Sequence, residues 1–170
     1  MKPIKTIQFT VPIIPVGEGR PRGRTFFPKW ADVEQAIKAY PDVRDFMGWM
    51  TKHCHVMFYP DPKTSGVQEI IRRCYVNVAG VNAVPHPGPV KMACKFVMPI
   101  PQSWSKKKQE AALAGEIVPT SKPDYDNVLK LVSDALNKLA YEDDKQCFMG
   151  SWRMAYGPKP CIMVALWMMG

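Results

Sequence analysis

Apolar and polar residues alternate over positions 6–11, with Ile7, Phe9 and Val11 apolar and Thr6, Gln8 and Thr10 polar. That period of two predicts a half-buried strand. Pro12 and Pro15 loosen the pattern, and a Gly/Pro/Arg loop, GEGRPRGRTFFPKW, follows. Residues 31–46 carry a weak helical pattern broken by Pro41, and residues 47–58 show no clear period. YPDPKTSG reads as a turn leading into a helix over 67–78, where Ile70, Ile71, Cys74 and Val78 recur at helical spacing. After the loop VNAVPHPGP, the run VKMACKFVMP at 90–99 predicts a strand. SWSKKKQEAALAG predicts a short helix, with Ser103 or Ser105 as its N-cap and Gly115 as its stop. The strongest helix lies at 126–140, and two strands follow at 147–154 and 161–168, joined by an AYGPKP turn. Strands and helices in this mixed order predict an α+β domain, a mixed sheet flanked by helices.

The helix at 126–140 has the clearest two-sided pattern. Val128, Leu129, Val132, Ala135, Leu136 and Leu139 recur at steps of three and four and form one apolar stripe. Asp126, Lys130, Ser133, Asp134 and Asn137 gather on the opposite side, so Asp126 and Lys130 are neighbours one turn apart. Asp126 or Asn127 is placed to cap the helix.

Composition narrows the setting. A chain of 170 residues with 46% hydrophobic content suits one folded domain. No segment reaches the roughly 18 apolar residues that a membrane helix needs, and the N-terminus reads as a strand rather than a signal peptide. Five scattered cysteines without a CxxC spacing argue against a zinc site and predict buried free thiols in a reducing, cytoplasmic compartment.

The charge is uneven. The net value is +8, yet between Glu116 and Gly150 seven acids face four lysines, a local −3 that leaves +11 for the rest. A basic body around an acidic patch suits a protein that grips phosphates and holds cations among them. A soluble basic protein with one acidic helix face would show the same balance.

The acids are concentrated in KPDYDNVLKLVSDALNKLAYEDDKQ, residues 122–146. Asp124 and Asp126 are two apart in a segment entering a helix, and in extended chain such residues point the same way. Glu142, Asp143 and Asp144 return after the helix and can supply a third carboxylate. Clustered carboxylates are hard oxygen donors of the kind Mg²⁺ or Mn²⁺ prefers. Such a cluster supports phosphodiester hydrolysis, with Lys130 neutralising charge that builds on the phosphate or leaving group. Taken singly, each residue also has a structural explanation: Asp126 as a cap, Asp124 as a turn residue, Lys130 as an i,i+4 partner, YEDDK as a polar loop. Spacing alone leaves both readings open.

The pieces Lys122-Pro123-Asp124-Tyr125-Asp126-Asn127, Lys130, Asp134-Ala135-Leu136-Asn137 and Tyr141-Glu142-Asp143-Asp144-Lys145-Gln146 together resemble the signature of RusA-type Holliday junction resolvases, especially those of phages and prophages. PVGEGRPRGR, YPDPKTSG and MPIPQSWSKKKQEAALAG resemble the family's basic loop, its Tyr-Pro-Lys-Thr stretch and the segment before its acidic motif. The resemblance implies a RusA-like fold in a single domain spanning 1–170, with residues 25–58 inserted. It implies a homodimeric, Mg²⁺-dependent endodeoxyribonuclease that nicks four-way DNA junctions, in DNA recombination and repair. By motif, Asp124, Asp126 and Asp144 match the metal-binding catalytic aspartates, with Asp143 a further metal candidate, and Lys130 matches the essential lysine.

A four-way junction has approximate two-fold symmetry, so a C2 dimer supplies two matched sites. The C-terminal CIMVALWMMG is a candidate for that contact, although a buried core strand explains it better. Candidate phosphate contacts are Arg20, Arg22, Arg24, Lys63, Arg72, Arg73, Lys106, Lys107 and Lys108. Trp30 or Phe26 are candidates to stack on a base at the branch point. Two other readings compete: a non-catalytic protein binding branched or single-stranded DNA, and a nuclease selective for flaps or forks.

Overall fold

A computed structural model describes residues 2–19, 22–26, 28–59 and 62–170, with the side chains of residues 22–26, 30, 43, 46, 55–59 and 62 outside the description. In chain order the elements are β1 (Pro3–Val11), β2 (Arg22–Phe26), α1 (Trp30–Ala39), α2 (Val43–His53), β3 (His55–Tyr59), α3 (Pro62–Ala79), β4 (Val90–Pro99), α4 (Lys106–Ala114), α5 (Tyr125–Leu136), a 3-10 turn (Asp144–Gln146), β5 (Cys147–Gly157) and β6 (Cys161–Met169). They form two compact units, Met1–Glu18 with Pro62–Gly170, and Gly19–Asp61.

The larger unit is built on a four-stranded sheet in the order β1-β6-β4-β5. β6 runs antiparallel to β1 and β4, whereas β5 runs parallel to β4, so the sheet is mixed and the class is α+β. β5 and β6 follow one another in sequence but are separated by β4, so the AYGPKP turn does not close a hairpin. β4 and β5 are parallel because α4 and α5 carry the chain across between them, as parallel pairing requires.

Alternate residues of the strands turn to one face. Ile7, Phe9 and Val11, then Val90, Met92, Cys94 and Phe96, then Ile162, Val164, Leu166 and Met168 form a core with Ile71 and Tyr75 of α3 and the apolar side of α5. Phe9 meets Tyr75 edge to face, with ring centroids 5.9 Å apart. β6 is apolar throughout, yet Met163 on the other face is exposed. The alternation comes from the pleat, not from the composition.

α5 buries Val128, Leu131, Val132, Ala135 and Leu136. Leu131 lies outside the expected stripe and is buried because α5 packs against α3 as well as the sheet, which widens its apolar arc. Each fully buried aliphatic of this kind contributes about 1.5–3 kcal/mol relative to exposure. The helix also stops earlier than the expected 140: Asn137 is extended, and Lys138 takes a left-handed φ of 62° that ends the helical path.

α4 follows its sequence signals closely. The Ser105 hydroxyl accepts from the Lys108 N–H at 3.4 Å, and Gly115 closes the helix at φ 82°, a conformation glycine adopts without strain. α3 begins at Pro62 rather than 67, since proline is well tolerated in a first helical turn where its missing N–H costs nothing.

In the smaller unit, β2 and β3 pair antiparallel from Arg22↔Tyr59 to Phe26↔His55, with α1 and α2 between them. Neither strand was expected. The break at Pro41 is real: α1 ends at Ala39, and Asp42 caps α2 by accepting from the Arg44 N–H at 2.8 Å. Residues 25–58, read as an insertion, fall inside this unit.

Candidate active site

α5 opens at Tyr125, which puts Asp124 at the N-cap position and Asp126 in the first turn. This corrects the expected cap: neither Asp126 nor Asn127 occupies that position, and the Asp124 side chain makes no capping hydrogen bond. Both carboxylates are exposed. Asp124 and Asp126 line a cavity of about 700 Å³ together with Tyr125, Trp152 and Arg153. Asp126 also lines a second cavity of about 420 Å³, shared with Lys130, Ser133, Asp134, Asp144 and Met149. Asp126 therefore stands where the two cavities meet, and Asp144 reaches it from beyond the helix.

The return of Asp144 is fixed by hydrogen bonds around it. Tyr141 is fully buried, and its hydroxyl donates to the Ser133 carbonyl at 2.9 Å. Burial pushes its phenol pKa up. Asp143 caps the 3-10 turn, its carboxylate accepting from the Lys145 N–H at 3.1 Å, while the Gln146 side chain accepts from the Asp143 N–H at 2.7 Å. The Gln146 amide also donates to the carbonyls of His86 and Gly88, at 3.0 and 2.8 Å. The turn is thus tied to the loop before β4. The Lys145 backbone N–H, helped by the Lys145 charge, holds the Asp143 carboxyl below its ordinary value. The neighbouring acids separate in role: Asp143 caps the turn, and Asp144 faces the cavity.

A carboxylate that sequence reading missed completes the arrangement. Glu18 accepts from the Lys130 ammonium at 2.6 Å, and Asp134 lies 3.9 Å from the same nitrogen. The segment carrying Glu18 docks directly on the start of α5, with the Glu18 N–H donating to the Asn127 carbonyl at 3.3 Å. Gly17 lies so close that a Cβ there would stand 3.2 Å from the Asn127 Cβ. The hydrogen bond from Glu18, and then its charge, raises the Lys130 pKa. Asp134 is raised as well, first by burial and then by repulsion from Glu18, with Asp144 adding to it and Lys130 opposing. No local signal marks Glu18, because its partner is 112 residues away.

The donor set around Asp126 is carboxylate oxygen, which fits Mg²⁺ or Mn²⁺ and not zinc. Among the described residues no three His, Cys, Asp or Glu side chains converge tightly enough to hold an ion alone. That is compatible with Mg²⁺, which is usually held by one or two carboxylates with water and substrate phosphate completing the shell. The residues that would hold it are Asp126 with Asp124 on one side or Asp144 on the other.

The residues expected to touch phosphates are dispersed. Arg20 lies outside the described residues; Arg22 and Arg24 are in β2, with their side chains outside the description, as are those of Phe26 and Trp30. Arg72 donates from Nε to the Ala135 carbonyl at 3.1 Å, satisfying one of the last carbonyls of α5. Arg73 pairs with Glu69 at 2.9 Å on the surface of α3, and Lys63 lies in the first turn of that helix. Lys106, Lys107 and Lys108 open α4, all exposed, and the Lys108 ammonium sits 4.0 Å from the ring centroid of Trp104.

Fold and site define a class: an α+β domain with an oxygen-rich acidic cavity and one lysine, both set at the start of a buried amphipathic helix. The family model described as endodeoxyribonuclease RusA matches residues 12–166. The chain belongs to the RusA endodeoxyribonuclease family. It is also 44% identical over 81 residues to the uncharacterized protein YqaN of Bacillus subtilis (strain 168), an alignment covering 46% of this chain and 57% of that protein. No helix among the described residues is long and apolar enough to cross a membrane.

Proposed function

We propose that the protein is a homodimeric endodeoxyribonuclease that resolves four-way DNA junctions by divalent-metal-dependent phosphodiester hydrolysis, acting in recombination and repair in a bacterial cytoplasm, from a phage or prophage gene. The observation that carries this reading is the grouping of Asp126, Asp144, Asp134 and Lys130 around one cavity in a chain of the RusA family.

Asp124, Asp126 and Asp144 are the metal-holding carboxylates in this reading, and Asp143 is the cap that presents Asp144. When bound, a divalent ion supplies Lewis acidity to the phosphodiester and lowers the pKa of water. Lys130 offers a fixed positive charge to the phosphate, held in place by Glu18. Asp134, the acid in the cavity whose charged form is disfavoured, is the group best suited to carry a proton. Two matched nicks need two sites, which a C2 dimer supplies. The second face of the sheet, where Met163 is exposed beside Lys95 and Ala165, is our candidate for the dimer contact.

The deciding experiment incubates the purified protein with a synthetic four-way junction, a fork, a flap and a linear duplex, with Mg²⁺ and with EDTA. Junction cut into nicked duplexes only with Mg²⁺ supports the proposal, together with an Asp126→Asn protein that binds and does not cut. Binding without metal-dependent cleavage supports a purely binding role, and preferred cutting of flaps or forks supports the other nuclease reading. Light scattering of the free protein tests the dimer.

A further inference from the structure

Tyr125 and Trp152 stack face to face, with ring centroids 3.8 Å apart and planes within 10° of parallel. Tyr125 is the first residue of α5, between Asp124 and Asp126 in sequence. Trp152 lies on β5, the edge strand, in register with Cys94 of β4. Residues paired across parallel strands turn to the same face, and Cys94 belongs to the core, so Trp152 continues the core face onto the edge strand, where it is only partly covered. Both rings remain 43–46% exposed. The pair has found each other but not a lid.

These rings line the 700 Å³ cavity whose apolar walls include Val118, Pro119 and Met154, whose polar lining includes Thr120, Ser121 and Arg153, and whose acidic edge is Asp124 and Asp126. A volume of that order is in the range of small-ligand sites, about 300–1,000 Å³. An aromatic face with apolar walls suits the π-face of a nucleobase, which is sequence-tolerant because every base has one. The carboxylates at the edge are those that would hold the metal, so a nucleotide whose phosphate lies there has its base beside the rings.

We propose that the Tyr125–Trp152 stack is a platform for one unstacked base of the DNA, next to the phosphodiester to be cut; this rests on the nuclease reading above. Branched DNA favours such a site, because a base at a branch point leaves its stack at lower cost than one inside a duplex. The geometry favours DNA over a second protein chain, since the cavity is concave and shares Asp126 with the acidic cavity.

The test places 2-aminopurine at successive positions around the cut site of a four-way junction and measures its fluorescence on binding, in EDTA, to the full chain and to its variants. With the wild-type protein, one position next to the cut changes its signal. Trp152→Ala loses that change and binds the junction about 5- to 150-fold more weakly, the range of one lost base stack. Trp152→Phe restores most of both. If Trp152→Ala does not fold, Tyr125→Leu keeps the helix apolar at that point and is expected to lose the same signal. An unchanged signal and affinity in a folded Trp152→Ala or Tyr125→Leu protein overturns the platform. So does conversion of a dimer to a monomer by either variant, which would make the stack a subunit contact. Because the fluorescence is read without cleavage, a wild-type protein that binds and never cuts sinks the nuclease reading and leaves the platform separately decided.

Discussion

Glu18 and Lys130 are 112 residues apart in sequence and 2.6 Å apart in the structure, joined by a hydrogen bond from the ammonium to the carboxylate. The Lys130 side chain is 62% exposed, so an ion pair of this kind contributes only about 0–1 kcal/mol to stability. Its consequence lies in position: it fixes one flexible lysine over the acidic cavity. Lys130→Met is expected to lower kcat by about 10²–10³, the usual loss for a donor aimed at developing charge. Glu18→Gln should lower kcat by about tenfold, with the melting temperature little changed, because it frees Lys130 without removing it. The double variant should be no slower than Lys130→Met alone. Additive losses in steady-state cleavage would show that Glu18 acts independently of Lys130.

Asp143 and Asp144 are adjacent acids with different surroundings, and the difference is measurable. Asp143 accepts from the Lys145 N–H, and Asp144 lines the cavity with Asp126. Asp144→Asn is expected to abolish cutting while junction binding persists. Asp143→Ser, which keeps a capping oxygen, is expected to retain most of the activity. Loss of cutting in Asp143→Ser with normal cutting in Asp144→Asn would reverse the assignment.

Much of this arrangement was legible in the sequence, for reasons that differ by element. β1, β4 and α5 carry strong periods because each has one face on the core, and periodicity reports that burial directly. β2 and β3 carry no such signal: RGRTF does not alternate, and its partner HVMFY lies beyond two helices. The acids of the 122–146 segment were visible as a group, but which of them faces the cavity depends on a cap and on the Gln146 bonds to His86 and Gly88. Neither Glu18 nor the Tyr125–Trp152 stack was predicted. Both are long-range contacts, set by where the loop after β1 docks and by the parallel register of β5. A hint was present in β5, where Gly150, Trp152 and Met154 alternate onto the core face and Trp152 is the largest.

Tyr141 links the end of α5 to the turn that carries Asp144. Its hydroxyl donates to the Ser133 carbonyl in the last turn of the helix, an acceptor that also takes the Asn137 N–H at 3.0 Å. Tyr141→Phe is expected to cost about 0.5–1.5 kcal/mol in urea unfolding, the net worth of one hydrogen bond, because the carbonyl keeps its bond from the Asn137 N–H. The ring still fills its space, so the fold and the slope of the unfolding transition should be kept. A variant as stable as wild type would mean that the hydroxyl adds nothing to the bond from the Asn137 N–H.

Asp134 and Lys130 both have raised folded pKa values, so each contributes stability that is lost as pH rises, in separate pH ranges, and the signs give the last prediction. Lys130 has its folded pKa raised above the ordinary 10.5, chiefly by Glu18. Its pairing therefore stabilises the fold fully below 10.5 and is lost only as pH rises through the higher folded value. From neutral pH to about 10 Lys130 stays an ammonium, so it adds no alkaline limb to the cleavage profile there. Asp134 is also raised, from 3.8, by burial and by the charges of Glu18 and Asp144. Its favourable contribution is fully present below 3.8 and is lost as pH rises through its folded value, so at neutral pH its ionised form weakens the metal-free protein. Asp134→Asn removes that charge while the introduced amide can still donate to Glu18. In EDTA it is expected to raise the urea midpoint at pH 7 and to lose that gain on acidification towards pH 3.5. Saturating Mg²⁺ should shrink the gain at pH 7, because a bound cation relieves the same repulsion. A midpoint at pH 7 in EDTA at or below the wild-type value would show that the Lys130 attraction outweighs the burial of Asp134.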